Sequence, residues 1–335
     1  SYSEDFSNAS WTKNGSSVVG GFTSPSGDLT AFKLVESALN ERHRIRLSSS
    51  FSVSVATLLS QSIFVKSDGR TKVAIKDNVS SSEYASFDLA TGSFIDKSSG
   101  SNFSIKEMSD GFYKISNTYT TIGTTTGFEV SILDDTYTAG DPSGQAYQGD
   151  GVSGLYIYGA QIEALPYATS YIPTSGAIAT RLADSVTGAG DATTFNDSEG
   201  VLYAEIAALA NGDANRRISL NDGSSNNRVL FGYNATGSIS WLVRVSGVTS
   251  FTGTHTLADS TQLVKVALKY NLNDFSIFVN GVQVATDTSG NTPIGLSDLS
   301  LTDGGGGNPF TGKVKSVITF DTALTDSELE CLTTI

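Results

Sequence analysis

The 335-residue chain carries 34 acidic side chains against 21 basic ones, a net charge of −13 at pH 7. That balance argues against nucleic acid or an anionic membrane surface as partner, because phosphate binding draws on clustered Lys and Arg. Abundant Gly (34), Tyr (13) and Phe (17), with only 16% charged residues, argues against a helix-rich chain and fits short strands joined by tight turns.

The length suits two domains rather than one core. Cys331 is the only cysteine, so no internal disulfide can form, and it is expected as a semi-buried thiol near the C-terminus. No apolar run reaches the roughly 18–20 residues that span a bilayer. No charged-then-apolar leader opens the chain, and a start at Ser1 is expected of a processed product or a fragment.

From Arg44 onward apolar residues recur with period two, the signature of half-buried strands. Ile45 and Leu47 alternate with Arg44 and Arg46; Phe51, Val53 and Val55 alternate with Ser52 and Ser54. Val73 and Ile75 come next, then Phe87 and Leu89 opposite Tyr84, Ser86 and Asp88, then Phe128, Val130 and Ile132 opposite Glu129 and Ser131. Turn signals at Asp68-Gly69, Thr91-Gly92, Asp110-Gly111 and Gly123 separate these runs. The segment from Leu155 to Ile162 is apolar on both faces and predicts a central strand covered on both sides, closing a first domain over residues 1–172. Pro173 and the small residues Thr174-Ser175-Gly176-Ala177 open a predicted linker, 173–198.

A second strand set, 199–335, begins near Val201. Ile218 and Leu220 precede the turn Asp222-Gly223; Val229, Phe231 and Tyr233 follow it; Ile239, Trp241, Val243 and Val245 share one face. Val264, Val266, Leu268 and Tyr270 alternate with Lys265 and Lys269. In Phe275-Ser-Ile-Phe-Val279, Asn280-Gly281, Val282, the Asn-Gly pair supplies the two positive-φ positions of a type I′ hairpin turn. One short helix closes the chain, with Thr325 and Glu328 as a capping box and Leu324 stapled on Leu329. The expected fold is therefore all-β: two antiparallel β-sandwich domains in tandem and one short C-terminal helix.

Several segments resemble known families. Tyr158-Gly-Ala-Gln-Ile-Glu-Ala-Leu-Pro-Tyr-Ala-Thr-Ser-Tyr-Ile-Pro-Thr174, with Arg181-Leu-Ala-Asp184 after it, is similar to the final strand and exit of a carbohydrate-binding-module-like jelly roll found in phage virion proteins. Asp5-Phe-Ser-Asn-Ala-Ser-Trp-Thr-Lys13 looks like its opening, and Asp110-Gly-Phe-Tyr-Lys-Ile-Ser116 like its middle strand. Phe275-Ser-Ile-Phe-Val-Asn-Gly281, Phe310-Thr-Gly-Lys-Val-Lys315 and Phe320-Asp-Thr-Ala-Leu-Thr-Asp-Ser-Glu-Leu329 resemble a concanavalin A-like, laminin-G-type sandwich. The paired resemblance implies a non-catalytic subunit of a phage tail fibre or other receptor-binding appendage. It further implies a virion, extracellular location, a homotrimer in contact with other virion proteins, and a host-surface glycan as ligand. A glycan depolymerase with convergent carboxylates, or a purely structural decoration protein, are the alternatives.

The residues themselves offer little catalytic chemistry. Retaining glucanases hold two carboxylates about 5–5.5 Å apart on one strand face, whereas Glu205 stands alone in its predicted strand, and Glu328 and Glu330 fall on the helix. His43 shares a face with Ile45 and Leu47 and reads as buried and structural; His255 lies in a Thr-rich stretch and reads as solvated. No nucleophile elbow or His/Cys zinc set is present, and no cofactor is expected beyond a structural calcium. Asp134, Asp135 and Asp150 are the candidate oxygen ligands for that ion. Gly304 to Gly307 lacks the following Lys-Ser/Thr of a phosphate cradle and reads as a flexible loop. Trp241 and Trp11 are assigned to packing. The candidate carbohydrate-binding residues are Arg228 and Arg244, on the polar face of adjacent strands, and Tyr233 at a strand end.

Overall fold

The computed structural model describes residues 2–79, 83–180, 186, 189–212 and 214–335. They fall into two units, Ser1–Arg181 and Leu182–Ile335. Each is built of antiparallel sheets, and the short helix Asp326–Thr333 ends the chain. Arg181-Leu-Ala-Asp184 lies outside the described residues.

In the first unit one six-stranded sheet runs in the spatial order Trp11–Asn14, His43–Leu47, Glu129–Leu133, Lys72–Lys76, Tyr84–Asp88 and Ser93–Lys97. The other runs Ser101–Glu107, Tyr113–Thr120, Leu58–Asp68, Gly154–Glu163, Ala31–Glu36 and Ser16–Phe22. The inward residues of both, among them Ile45, Val73, Ile75, Val130, Ile63, Val65 and Leu155, form the core. Trp11 belongs to it, packed 5.0 Å from Phe6 with its indole N–H donated to the Tyr2 carbonyl. Gly154–Glu163 is the double-covered strand expected: Leu155 and Ile157 face the core, while Tyr158 meets Phe64 and Phe112 on the opposite face. Two segments depart from the periodicity. Leu58–Asp68 is an eleven-residue strand without a clean pattern, because Ser60, Gln61 and Ser62 are all buried. Gln61 Nε2 meets the Tyr119 hydroxyl and the Gly127 carbonyl there, so hydrogen bonding replaces apolar contact. Conversely Phe51–Ser52 is only two residues long, since Ala56 takes a positive φ of 62° and turns the chain away, exposing Val55.

In the second unit one sheet orders Val282–Asp287, Phe275–Val279, Val264–Asn271, Glu199–Ala207 and Lys313–Phe320. The facing sheet orders Val248–His255, Ile239–Val245, Arg228–Tyr233, Arg216–Asn221 and Asp298–Ser300. Their inner faces close on a core that holds Leu202, Ile218, Phe231, Trp241, Val266, Phe275 and Phe310. The Asn280-Gly281 turn has φ of 51° and 78°, the mirror-image turn that the twist of a two-stranded ribbon favours. Thr325 and Glu328 form the reciprocal capping box. Leu329 is buried against Val201, Tyr203 and Phe278. Cys331, expected semi-buried, is exposed: two residues past Leu329 it is turned roughly 200° around the helix, away from the sheet.

Several residues expected in the linker belong to the units. Thr174 exchanges hydrogen bonds with Ser3, and Ser175 bridges Tyr2. Phe195 is 6% exposed in the second core, and Asp197 accepts the amides of Gly295 and Leu296. Among the described residues no helix is long and apolar enough to cross a membrane.

Candidate functional site

The outer face of the sheet that contains Arg228–Tyr233 carries a groove of about 380 Å³. Strand register sets its composition. Trp241, Phe231 and Ile218 turn inward, so Arg217, Arg228, Leu230, Ser240, Leu242, Thr252 and Thr254 turn outward. Arg217, Gly232, Ser240 and Thr254 lie in one row across the sheet, and Arg228 lies directly opposite Arg244 in another. Gly232 leaves its place in the row without a side chain, and a Cβ there would sit 1.9 Å from the Arg216 carbonyl oxygen.

One wall comes from the glycine-rich loop. It is not the free segment its sequence suggests: the Asp303 carboxylate accepts the amides of Gly305 and Gly307 and the side-chain amide of Asn308. The loop thus cradles its own carboxylate where a phosphate cradle would hold a ligand. Burial opposes ionisation of Asp303, but these hydrogen bonds outweigh it and hold the group below the usual carboxylate range. Through the same loop the Asp303 carbonyl accepts Arg228 Nη1, and the Asn308 carbonyl accepts the amide of Arg217.

The groove is cationic and its donors are incompletely used. Arg228 is 9% exposed and Ser240 8% exposed. Arg228 Nε, Arg244 Nε and Ser240 Oγ are shielded from water and have no hydrogen-bond partner. A buried donor left so costs about 1–3 kcal/mol. Burial, then the neighbouring Arg244, pushes the Arg228 guanidinium down from its ordinary value; burial does the same to Arg217. Among the described residues, no side-chain carboxylate forms an ion pair with Arg217, Arg228 or Arg244.

Of the residues singled out from sequence, Arg228 and Arg244 are brought together, cross-strand, at this face. Tyr233 is not with them. It is fully buried, its ring 6.2 Å from Phe310 and its hydroxyl donated to the Ile206 carbonyl, and burial pushes that phenol well up. Its phase with Val229 and Phe231 carries the reason: odd positions of this strand point into the core. Arg217 and Ser240 were legible by the same parity rule and were missed; Asp303 and Asn308 arrive from a loop some eighty residues downstream, with no local signal.

The calcium candidates are not gathered into one cage. Asp134 accepts the amide and hydroxyl of Thr136, which hold it below its usual range. Asp135 accepts from Thr71 and pairs with Arg70 at 3.4 Å. Asp150 accepts the hydroxyl and amide of Ser153 and the amide of Val152. Protein donors and a guanidinium thus take the oxygens a calcium ion would use. Among the described residues no three His, Cys, Asp or Glu side chains cluster in a metal-binding arrangement.

Hydrolytic chemistry finds no carboxylate pair in the groove, where Asp303 is the lone acid. Glu205 shares its strand with Glu199, contrary to the sequence reading, but six residues separate them by about 20 Å. Glu199 caps the amide of Ala323 and Glu205 pairs with Lys315 at 2.9 Å. His43 is buried between the carbonyls of Gly15 and Tyr147. His255 ends a strand and is half-buried rather than in a solvated loop.

Residues 184–330 match the laminin-G-type family described as the concanavalin A-like lectin/glucanases superfamily. Among solved structures, the CBM40 of the Ruminococcus gnavus IT-sialidase is 18% identical with a TM-score of 0.36, over 46% of this chain and 97% of that one. The NanB sialidase from Streptococcus pneumoniae is 15% identical with a TM-score of 0.36, over 42% of this chain; the match spans 24% of the sialidase. Domains LG4-5 of the mouse laminin alpha1 chain are 10% identical with a TM-score of 0.29, over 85% of this chain and 89% of that one. A comparison with curated proteins finds no match.

Proposed function

We propose that the chain is a non-catalytic glycan-binding protein whose second unit seats a sugar in the groove between Arg228 and Thr254. The observation that carries this is a depression with buried, unpartnered donors in place, Arg228 Nε and Ser240 Oγ, above an apolar floor at Leu230. Sugars offer dense hydroxyl and ring oxygens to such donors and a C–H face to such a floor. Absence of a carboxylate pair among the groove's residues makes binding without cleavage the better reading than a depolymerase.

The order of the two sandwich modules, as read from sequence, motivates the wider placement: an appendage subunit of a phage virion, assembled as a trimer and touching a host-surface glycan. One experiment addresses both levels. Purified capsule and lipopolysaccharide oligosaccharides are titrated against the full chain by calorimetry, with light scattering on the same samples. Saturable binding without release of reducing ends is expected, lost when Thr252→Trp fills the groove, at a mass three times 35.1 kDa. Binding that survives Thr252→Trp would remove the groove from the proposal, reducing ends released over time would restore the depolymerase, and a monomer at all concentrations would remove the trimer.

A further inference from the structure

The arginines of the two units differ in their acid partners, although Nε of Arg42, Arg44 and Arg46, like that of Arg228 and Arg244, is buried without a hydrogen-bond partner. In the first, Arg42 and Arg44 each lie 2.8 Å from the buried carboxylate of Glu129. Arg46 stands directly opposite the same Glu129 in register, and Arg70 grips the buried Glu36 with two nitrogens. Each of these four arginines of the first unit therefore has an acid beside it. In the second unit Arg217, Arg228 and Arg244 crowd one sheet face, and the described carboxylate nearest in the groove, Asp303, spends its oxygens on its own loop. Like charges directly opposite on adjacent strands are destabilising, and Arg228 faces Arg244 in that relation. A local rule is broken with a single acid, Asp303, acting on Arg217 and Arg228 from the loop and ion-paired to none of the three, on a chain whose overall charge is −13.

We infer that the remaining counter-charge comes from the ligand: the groove takes an acidic glycan, its anionic group held between Arg228 in the groove and Arg244, which stands opposite it on the neighbouring strand. This rests on the reading of the groove as a sugar site and narrows it to a substrate class. The guanidinium plane presents paired N–H donors that match the two oxygens of a carboxylate or of a sulfate ester. Ser240, Thr252 and Thr254 are left for the neutral hydroxyls of the same sugar or its neighbour. Acidity of the rest of the molecule repels such ligands from other surfaces and confines them to this one.

The test titrates the full chain with uronic-acid and nonulosonic-acid oligosaccharides, their carboxyl-reduced counterparts, and sulfated oligosaccharides with their desulfated counterparts. At least tenfold tighter binding of one acidic form than of its neutralised counterpart is expected, weakening as salt rises; which pair shows it distinguishes carboxylate from sulfate. Arg244→Gln, at a half-exposed position, should remove most of that preference, and Arg228→Gln should do the same if it folds. Equal binding of acidic and neutralised forms, unmoved by Arg244→Gln, would overturn the acidic-ligand inference and leave the sugar site standing. No binding of any form would overturn both.

Discussion

At the scale of single residues, the molecule shows what a buried arginine requires. Glu129 is 1% exposed and holds Arg42 and Arg44 together, so its removal strands two guanidiniums at a sheet face. Glu129→Gln should lower unfolding free energy by about 3 kcal/mol, the range for breaking a buried pair by deleting one partner. Arg244→Gln should do the reverse, raising it by about 0.5 kcal/mol, because it dissolves a like-charge cross-strand pair. Urea denaturation of the two variants compares the signs; a loss of stability in both would mean that Arg244 has a partner within the fold. The same scale separates what parity makes legible from what it does not. Trp241 alternates with Arg244 and Ser240 and falls inside, as its phase predicts. Tyr233 obeys the same phase, and reading it as a strand-end platform was an error of weight: two in-phase apolar neighbours outrank position at an end. Gly253 is the silent half of the Trp241 position, since a Cβ there would lie 2.4 Å from the indole.

At the scale of elements, turn chemistry and capping were plain in the sequence because they act within five residues of chain. Asn280-Gly281 and the Thr325–Glu328 box need no tertiary partner to be recognised. Leu58–Asp68 was opaque for the opposite reason: its buried Ser60 Oγ and Gln61 Nε2 find their partners, Thr118, Tyr119 and Gly127, up to 66 residues away. The Asp303 loop is of the same kind, as four glycines convey freedom while the fold converts two of them, Gly305 and Gly307, into donors to a carboxylate. That loop sets a pH dependence. A carboxylate held below its unfolded value stabilises the fold above that unfolded value, near 4, and loses the contribution as pH falls through its folded value. Asp222, whose burial is likewise outweighed by hydrogen bonds from Ser224 and Asn227, adds in the same direction. Melting temperature should therefore fall steadily from pH 4 downward, and Asp303→Asn should flatten part of that slope while leaving the pH 5–8 plateau level. An unchanged acid slope in Asp303→Asn would show that the loop's hydrogen bonds do not matter to folding.

At the scale of the whole molecule, each of the two units is a sandwich closed on its own apolar core, and the outer faces carry what distinguishes them. Closed cores with alternating strands explain why the fold class was readable from periodicity alone. Function was less readable, because a sheet face becomes a site only when register aligns strands and a distant loop supplies a wall. Arg228 and Arg244 could be placed on one face from sequence; the lack of an ion-paired carboxylate for either among the described residues could not.

The arginine side-chain N–H resonances offer the most direct measurement. With nitrogen-15-labelled full chain, the Arg228 and Arg244 Nε–H signals are followed during titration with the tightest-binding acidic oligosaccharide. Both should shift saturably, together with the backbone amides of Ser240 and Thr252, while those of Arg42, Arg44 and Arg70 stay in place. Saturable binding that leaves the Arg228 and Arg244 signals unmoved, or that moves the first-unit arginines instead, would contradict the assignment of the ligand to this groove.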